Sequence, residues 1–289
     1  MNVIETKGLT KYYRKIKGIE DVTFSVKKGE IFGFLGPNGA GKTTTIRTLL
    51  GLLKPTRGEA YIFGKNIEDN IVEIRSKVGY IPGELALYEH LTGKQFLDYF
   101  ASLRNTELPL LDELLETFEL PLDRKIKGYS RGMKQKMGII QAFMDDPEIV
   151  ILDEPTSGLD PLLQNKFYEF ILSEKKKGRT MFFSSHILSE VDKICDRVAI
   201  IKDGSLVALE DVESLKNKLG KVIRLKIKEN PKDFKGPKEM KIKDDWIEFT
   251  ATDDIDYWIK LISKYKVLDL EINEFKLEDI FIRYYERGK

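Results

Sequence analysis

The sequence predicts an α/β fold, in which a largely parallel sheet is flanked by helices and a small α+β domain follows. The first observation is that short apolar runs alternate with helical patterns over the first two-thirds of the 289 residues. The second is a nearly all-helical stretch from Thr92 to Met144. The third is a change near Glu210, after which strictly alternating strand patterns appear beside amphipathic helices.

The strands predicted for the larger domain are short and apolar, and they read EIFGFLG, KVGYIP, IVILDE and TMFFSSH. A helix is predicted after the first of them, with an apolar face formed by Ile46, Leu49, Leu50 and Leu53. The run RVAIIKDGSLVAL predicts a hairpin with Asp203 and Gly204 at its turn. We expect this domain to cover residues 1–212, with a helical subdomain at about 85–145.

The predicted second domain covers residues 213–289. The runs VIRLKIK and VLDLEIN alternate apolar and polar residues, so each predicts a strand with one buried face. DIDYWIKLISKY and LEDIFIRYYE predict amphipathic helices, and the lysine-rich ENPKDFKGPKEMKIKDD predicts a solvated loop or hairpin. We therefore expect a small α+β domain here.

Composition excludes several classes of protein. Charged residues make up 33% of the chain but the net charge is only +1, so no electrostatic footprint for nucleic acid is present. The single cysteine, Cys195, permits no internal disulfide. Neither a signal peptide nor an apolar run near the ~20 residues of a membrane helix is found. We expect a cytoplasmic protein that meets a membrane only through a partner.

A phosphate-binding loop is predicted at GPNGAGKT, which fits the pattern G-x-x-x-x-G-K-[ST] between a strand and a helix. Glycines let the backbone amides point at phosphate oxygens, and the helix N-terminus faces the same anion. Lys42 can reach the β- and γ-phosphates, and the Thr43 hydroxyl can bind magnesium. The residues expected around the nucleotide phosphates are Gly36, Pro37, Asn38, Gly39, Ala40, Gly41, Lys42, Thr43 and Thr44.

Two adjacent carboxylates, Asp153 and Glu154, end the apolar run IVIL. Like charges at the end of a buried strand repel and lose solvation, so a cation or a reaction must compensate. We expect this strand to lie beside the one that feeds the phosphate loop, which would place Asp153 over the magnesium. Glu154 could then polarise a water in line with the γ-phosphate, as a general base does.

The stretch YSRGMKQKMGIIQAFMDDPEIVILDEPTSGLDP closely resembles the ATP-binding subunits of ABC transporters, and the resemblance extends over about residues 3–210. It implies a P-loop NTPase sheet with an antiparallel N-terminal β-subdomain and a helical subdomain. YSRGM stands at the family's LSGGQ signature: Ser130 and Gly132 match, whereas Tyr129, Arg131 and Met133 depart. Ser130 can cap the helix that starts there, which gives a second anion site. In the family, this helix end contacts ATP bound by the opposite subunit.

Further residues match family positions in order. Tyr13 stands where an aromatic ring stacks on adenine, and Tyr12 is the neighbouring alternative. Asp160, in SGLD, corresponds to the loop that couples the two sites. His186 matches the switch histidine that touches the γ-phosphate. The resemblance thus implies catalytic roles for Glu154, His186 and Lys42.

Several other residues do not match a functional position of the family. Where the family usually has a glutamine after the strand VGYIP, this chain has Gly83 and then Glu84, which puts one magnesium contact in doubt. His90 has no comparable context and is expected to be structural or exposed. Cys195 falls on the apolar side of its predicted helix and is expected in the core.

Two functions from different classes follow from the resemblance. In the first, the chain is the ATPase of a membrane exporter of the ABC-2 type, with ATP and magnesium as cofactors. Its partners would be membrane-spanning permease subunits and a second nucleotide-binding subunit, identical or paralogous, with no nucleic acid. In the second, it is a soluble ATP-driven switch acting on a ribosome or nucleic-acid complex. A single phosphate loop favours the first.

Two parts of the chain are candidates for contact with partner proteins: a short apolar segment and the C-terminal domain. The apolar residues Leu85, Ala86, Leu87 and Tyr88 follow the strand VGYIP, where the family has a groove for a helix of the membrane subunit. They are therefore candidates for a docking surface, with packing into the subunit's own core as the alternative. The C-terminal domain is either a stabilising appendage or a dimerisation or regulatory element. The transported substrate is not encoded in any of these motifs.

Overall fold

The computed structural model describes residues 1–104, 108–214, 220–237, 239–251 and 255–274. The chain divides into two compact units, Met1–Leu209 and Glu210–Lys289. Antiparallel sheets and a parallel-containing sheet are both present, so the predicted mixed α/β fold is confirmed. The domain limits that the sequence suggests, at residues 85, 145 and 212, stay predictions.

The first unit contains two sheets and the helices between their strands. Its strands are β1 (Asn2–Tyr13), β2 (Ile16–Lys27), β3 (Ile31–Leu35), β4 (Arg57–Ile62), β5 (Lys65–Asn66), β6 (Val78–Ile81), β7 (Ile149–Asp153), β8 (Thr180–Ser185), β9 (Arg197–Lys202) and β10 (Ser205–Asp211). Its helices are α1 (Lys42–Leu49), α2 (Ile71–Ser76), α3 (Gly93–Arg104), α4 (Leu111–Phe118), α5 (Arg131–Phe143), α6 (Pro161–Lys176) and α7 (Leu188–Ile194).

The smaller sheet of this unit is antiparallel and has the order β2-β1-β4-β5. β2 alternates buried and less buried residues over most of its length, as expected of a strand with one covered face, whereas β1 is less regular because its pairing contains register shifts. The face they bury packs on the larger sheet: the ring of Phe24 in β2 stacks on Phe32 in β3, with centroids 5.3 Å apart. The N-terminal sheet thereby covers one side of the strand that carries the phosphate loop.

The larger sheet has the order β10-β9-β3-β8-β7-β6, and its central pairs are parallel. The prediction that β7 lies beside β3 is wrong, because β8 stands between them. In β3, β7 and β8 every residue is buried, which matches strands covered on both faces. Since parallel strands end at one edge, the carboxyl ends of β3, β8 and β7 still meet there.

Local sequence signals explain where several elements end. The helix predicted through Leu53 stops at Leu49, and Gly51 follows in the left-handed region at φ +62°. Ile46, Leu49 and Leu50 are buried as expected, whereas Leu53 lies beyond the helix. The predicted hairpin forms between β9 and β10, with positive φ at both Asp203 and Gly204.

In its described residues, the second unit contains an antiparallel sheet of order β12-β13-β11-β14 and the helix α8 (Ile255–Ile262). Its strands are β11 (Lys221–Ile227), β12 (Lys241–Lys243), β13 (Trp246–Ala251) and β14 (Val267–Glu274). Trp258 and Ile262 of α8 cover a sheet core that includes Ile223, Leu225 and Phe249. The helix predicted at LEDIFIRYYE lies outside the described residues.

A helix that spans a bilayer needs about 20 predominantly apolar residues. None of the helices in the ranges given above is both long and apolar enough to cross a bilayer.

Candidate ATP site

The phosphate loop runs from the end of β3 into α1. The Gly36 amide donates to the Ser185 carbonyl at 3.2 Å, which ties the start of the loop to the end of β8. Gly41 has φ +110°, and a Cβ there would lie 2.9 Å from the Gly18 carbonyl oxygen. The backbone conformation and the space around it both favour glycine at this position.

Lys42 is the first residue of α1, and its side chain is buried beneath the loop, 4% exposed. Its Nζ donates to the carbonyls of Gly36 at 2.7 Å and Pro37 at 3.1 Å. It also lies 3.0 Å from Glu154 Oε1. A buried ammonium requires such partners, and here the two loop carbonyls and Glu154 fix the position of Nζ.

Thr43 and Asp153 meet although they are 110 positions apart. The Thr43 hydroxyl donates to Asp153 Oδ2 at 2.8 Å, and the Ser184 hydroxyl donates to Asp153 Oδ1 at 2.7 Å. Ser184 belongs to β8, the strand between β3 and β7, so it bridges the distance that the sheet order creates. Both oxygens of a buried carboxylate are therefore oriented by hydroxyl groups.

Glu154 sits in a strained backbone conformation, with φ +50°. Its amide donates to the carbonyl and the hydroxyl of Ser184, at 3.2 Å and 3.1 Å. Its Oε2 lies 3.2 Å from His186 Nδ1, and the side chain is 24% exposed. Glu154 is therefore held by two segments, the start of α1 and the end of β8, while its carboxylate remains open to a water molecule.

The two candidate adenine-stacking tyrosines differ in their surroundings. Tyr13 is 42% exposed, and its hydroxyl lies 3.3 Å from the Thr44 hydroxyl in α1. The Tyr12 hydroxyl instead donates to Glu20 Oε1 at 2.9 Å, and this contact raises the pKa of the Tyr12 phenol. Tyr13 is thus the one beside the phosphate-loop helix.

Ser130 and Asp160 belong to a second group of contacts, and Gly132 lies in the first turn of α5. Ser130 caps α5 by accepting from the Met133 amide at 3.2 Å, and Asp160 caps α6 by accepting from the Leu162 and Leu163 amides at 3.0 Å. Arg131, next to the cap of α5, donates to the Ser157 hydroxyl at 2.9 Å. The starts of α5 and α6 are thereby connected through the loop that follows Glu154.

The segment after β6 places Gly83 beside the site and Glu84 away from it. A Cβ on Gly83 would lie 3.4 Å from Asp153 Oδ2, whereas the exposed Glu84 lines a cleft with Leu85 and Leu87. Tyr80 of β6 is half-buried, and burial followed by the Asp153 charge raises its pKa to about 12. Its phenol therefore stays neutral beside Asp153.

His90 and Cys195 are both expected to lie outside the site. His90 is exposed, with its ring 6.2 Å from that of Tyr88. Cys195 is buried against Gly33, where a Cβ would lie 3.0 Å from Sγ, and burial raises the pKa of its thiol. Both placements agree with the sequence-based expectation.

Three residues of the site are absent from the sequence-based prediction: Ser184, Ser185 and Glu190. Ser184 and Ser185 are fully buried at the end of β8, and Glu190 is buried at 4% exposure. The signal that could have found the serines is their polarity within the otherwise apolar run TMFFSS. Glu190 had no such signal, since an acidic residue in a short amphipathic helix is usually solvated.

The oxygen donors beside the phosphate loop suit magnesium. Mg²⁺ is usually held in proteins by one or two carboxylates together with hydroxyl, water and phosphate oxygens, not by an all-protein cage. Asp153 and Thr43 supply one carboxylate and one hydroxyl 2.8 Å apart. Across the described ranges, no cluster of three His, Cys, Asp or Glu side chains could hold a metal ion.

The fold and the site define a P-loop nucleotide-binding α/β protein. The sequence profile described as "ABC transporter" matches residues 19–157. An uncharacterised ABC transporter ATP-binding protein of Nostoc is 42% identical over 74% of this chain and 68% of its own length. The bacitracin transport ATP-binding protein BcrA of Bacillus licheniformis is 41% identical over 80% of this chain and 76% of its own.

Solved structures agree with these relatives. The structure titled as the ATP-binding subunit of an ABC transporter superposes with a TM-score of 0.69 at 35% identity, covering 74% of this chain and 92% of its own. A nucleotide-free ATP-binding cassette gives a TM-score of 0.66 at 26% identity, covering 75% and 94%. The chain belongs to the ATP-binding protein family of ABC transporters.

Proposed function

We propose that this chain binds and hydrolyses ATP to power a membrane exporter, by closing head to tail against a second nucleotide-binding subunit. The observation that carries the proposal is the meeting of three contacts at one sheet edge: Lys42 with Glu154, Thr43 with Asp153, and Glu154 with His186. These contacts bring together a cation for phosphate binding, two oxygen ligands for a metal and a carboxylate for water activation. Separate segments of the chain supply them.

Each side chain has a distinct role in this proposal. The amides of residues 36–44 and the Lys42 ammonium bind the β- and γ-phosphates, with Tyr13 against the adenine. Thr43 and Asp153 would hold magnesium, which neutralises phosphate charge when bound. Glu154 accepts a proton from the attacking water, and His186 contacts the γ-phosphate and orients Glu154.

The second group of contacts serves the partner subunit. Ser130 and Gly132 at the start of α5 would approach the γ-phosphate held by the opposite subunit, and Asp160 would couple the two sites. Ser130 caps the start of α5 by accepting from the Met133 amide, and the N-terminus of a helix is a favourable site for an anion. ATP is then enclosed between two subunits, identical or paralogous.

The transporter interpretation rests on relatives that are named for transport. BcrA is named a bacitracin transport protein, and a relative from Bacillus subtilis is the ABC transporter protein NatA, 38% identical over 69% of this chain. These names favour a membrane permease over a ribosome or nucleic-acid complex as the partner. The chain would then work in the cytoplasm, peripheral on the inner face of the membrane.

A cleft of about 490 Å³ is the place where we expect the permease to dock. Leu52 and Leu87 contribute apolar surface to it, and Arg47, Arg75 and Glu84 contribute charge. A short helix inserted there could bury a few apolar anchors and pair its polar residues with the rim. The size and mixed lining suit that kind of ligand.

Replacement of Glu154 by Gln tests the catalytic part of the proposal. The amide cannot accept the proton, so hydrolysis should fall by about two to four orders of magnitude, the usual contribution of a general base. Binding of magnesium-ATP should remain, and an ATP-bound dimer should accumulate in size-exclusion chromatography. Glu169→Gln makes the same change at an exposed position of α6 and should retain wild-type turnover. Undiminished turnover in E154Q would exclude Glu154 as the base.

A further inference from the structure

The buried carboxylate of Glu190 accepts three hydroxyl hydrogen bonds from three different segments. Ser185 donates to Oε2 at 2.5 Å, while Thr156 and Tyr168 donate to Oε1 at 2.6 Å and 3.0 Å. Glu190 lies in α7 and is 4% exposed. Since a buried carboxylate is costly without such donors, this arrangement strongly restricts where the donor-bearing segments can lie.

Two of the three donors flank proposed catalytic residues in the chain. Thr156 is two positions after Glu154, and Ser185 immediately precedes His186. Glu154 and His186 are in turn joined by the 3.2 Å contact between Oε2 and Nδ1. The two segments are therefore linked at two points, by the Glu154–His186 contact and by the shared hydrogen bonds to Glu190, and together they form a closed ring. The Glu190 carboxylate sets the distance between Thr156 and Ser185.

The Ser185 hydroxyl links Glu190 to the turn formed by residues 185–187, which carries His186. It donates to Glu190 and accepts from the Ile187 amide at 2.9 Å, so it bridges both sides of His186. The Ser185 carbonyl accepts from the Gly36 amide at 3.2 Å, which joins the same turn to the phosphate loop. A displacement of Ser185 would therefore move His186 relative to both Glu154 and the phosphates.

We propose that Glu190 is a positioning residue for ATP hydrolysis, which fixes the segments of Glu154 and His186 through Thr156 and Ser185. This inference rests on the proposed function. Only a carboxylate can accept all three hydroxyl protons, because a glutamine amide presents an NH₂ group to one side. In Glu190→Gln, at least one hydroxyl must turn to accept, and the ring loosens without a change in side-chain volume.

The test uses the full-length chain and compares turnover with binding. In E190Q, kcat should fall by about 10- to 100-fold, the effect of a small misplacement of reacting groups, while the Kd for magnesium-ATP stays within about twofold. In the Glu154→Gln background, E190Q should slow single-turnover hydrolysis by a smaller factor than in the wild type, since the part of its effect that acts through Glu154 is already lost. Tyr168→Phe removes a donor on α6, which carries no reacting group, and should keep kcat within about twofold.

Each other result contradicts the assignment. Normal kcat in E190Q, an equal loss of ATP affinity, or an equal defect in Y168F would each show a merely structural network. So would a loss in the Glu154→Gln background as large as the loss in the wild type. If thermal melting shows E190Q to be unfolded, the isosteric Thr156→Val decides: lowered kcat supports the proposal, and normal kcat overturns it. A wild-type chain without ATP turnover would refute the proposed function itself, and this inference with it.

Discussion

The Lys42 ammonium lies 3.0 Å from Glu154 Oε1, so the lysine of the phosphate loop contacts the carboxylate proposed as the base. The same nitrogen is bonded to two loop carbonyls and is almost fully buried. Its charge is thus positioned in advance of nucleotide binding. Phosphate oxygens that enter the loop would compete with Glu154 for this cation, which would leave the carboxylate free to contact water.

Lys42→Ala should therefore weaken ATP binding and abolish turnover. Charge-assisted hydrogen bonds contribute about 1.5 to 3 kcal/mol, so the Kd for magnesium-ATP should rise by about 10- to 100-fold. Isothermal titration calorimetry measures this change. Lys28→Ala, at an exposed position before the opposite end of β3, should bind like the wild type. Wild-type affinity in K42A would show that the loop does not bind the phosphates.

Thr43→Ala should raise the magnesium requirement. It removes the hydroxyl that donates to Asp153 Oδ2 at 2.8 Å and that is proposed to bind the metal. The magnesium concentration for half-maximal turnover should increase several-fold, about tenfold at most if one neutral ligand is lost. Thr43→Ser keeps the hydroxyl and should restore the wild-type curve. An unchanged magnesium titration in T43A would argue against this ligand.

Leu87→Asp should prevent assembly with the permease and leave the subunit folded. Leu87 is half-buried and lines the docking cleft, whereas Leu85 packs over Gly138, where its Cδ2 would lie 2.7 Å from an added Cβ. Tyr88 is 46% exposed and packs on Tyr99, so Tyr88→Asp is the second choice.

Co-purification with a co-expressed membrane subunit measures the effect of Leu87→Asp, and thermal melting checks the fold. Leu103→Asp, at an exposed leucine of α3 outside the cleft lining, is the matched control and should assemble normally. A large loss of thermal stability in L87D would point to core packing. Normal assembly with normal stability would remove the docking role.

Glu174→Ala should strongly destabilise the first unit. Glu174 is fully buried and its Oε2 lies 2.6 Å from Nε of the buried Arg179. Removal leaves a buried guanidinium short of one counter-charge, a change that costs about 3 to 5 kcal/mol in unfolding free energy. Lys177→Ala removes the exposed partner of the same carboxylate, at 2.8 Å, and should cost under about 1 kcal/mol. Urea denaturation that gives equal losses for the two variants would contradict this account.

Much of the site could be predicted because its signals are contiguous in the chain. The phosphate loop needs eight successive residues between a strand and a helix, so Lys42 and Thr43 could be assigned from their local pattern. The strand before Asp153 and the turn at Asp203–Gly204 also follow from local preferences for apolar runs and positive φ. These features depend on neighbours within a few residues.

The α/β class, the phosphate loop and the carboxylate pair were predictable from the order of amino acids alone. Three features became visible only in the folded chain: β8 separates β3 from β7, Ser184 bonds to Asp153 across that gap, and Glu190 joins the segments of Glu154 and His186. Strand order and buried hydrogen bonds join residues that are distant in the chain, such as Asp153 and Ser184, 31 positions apart, and Thr156 and Glu190, 34 positions apart. No local periodicity reports which distant hydroxyl a buried carboxylate will meet.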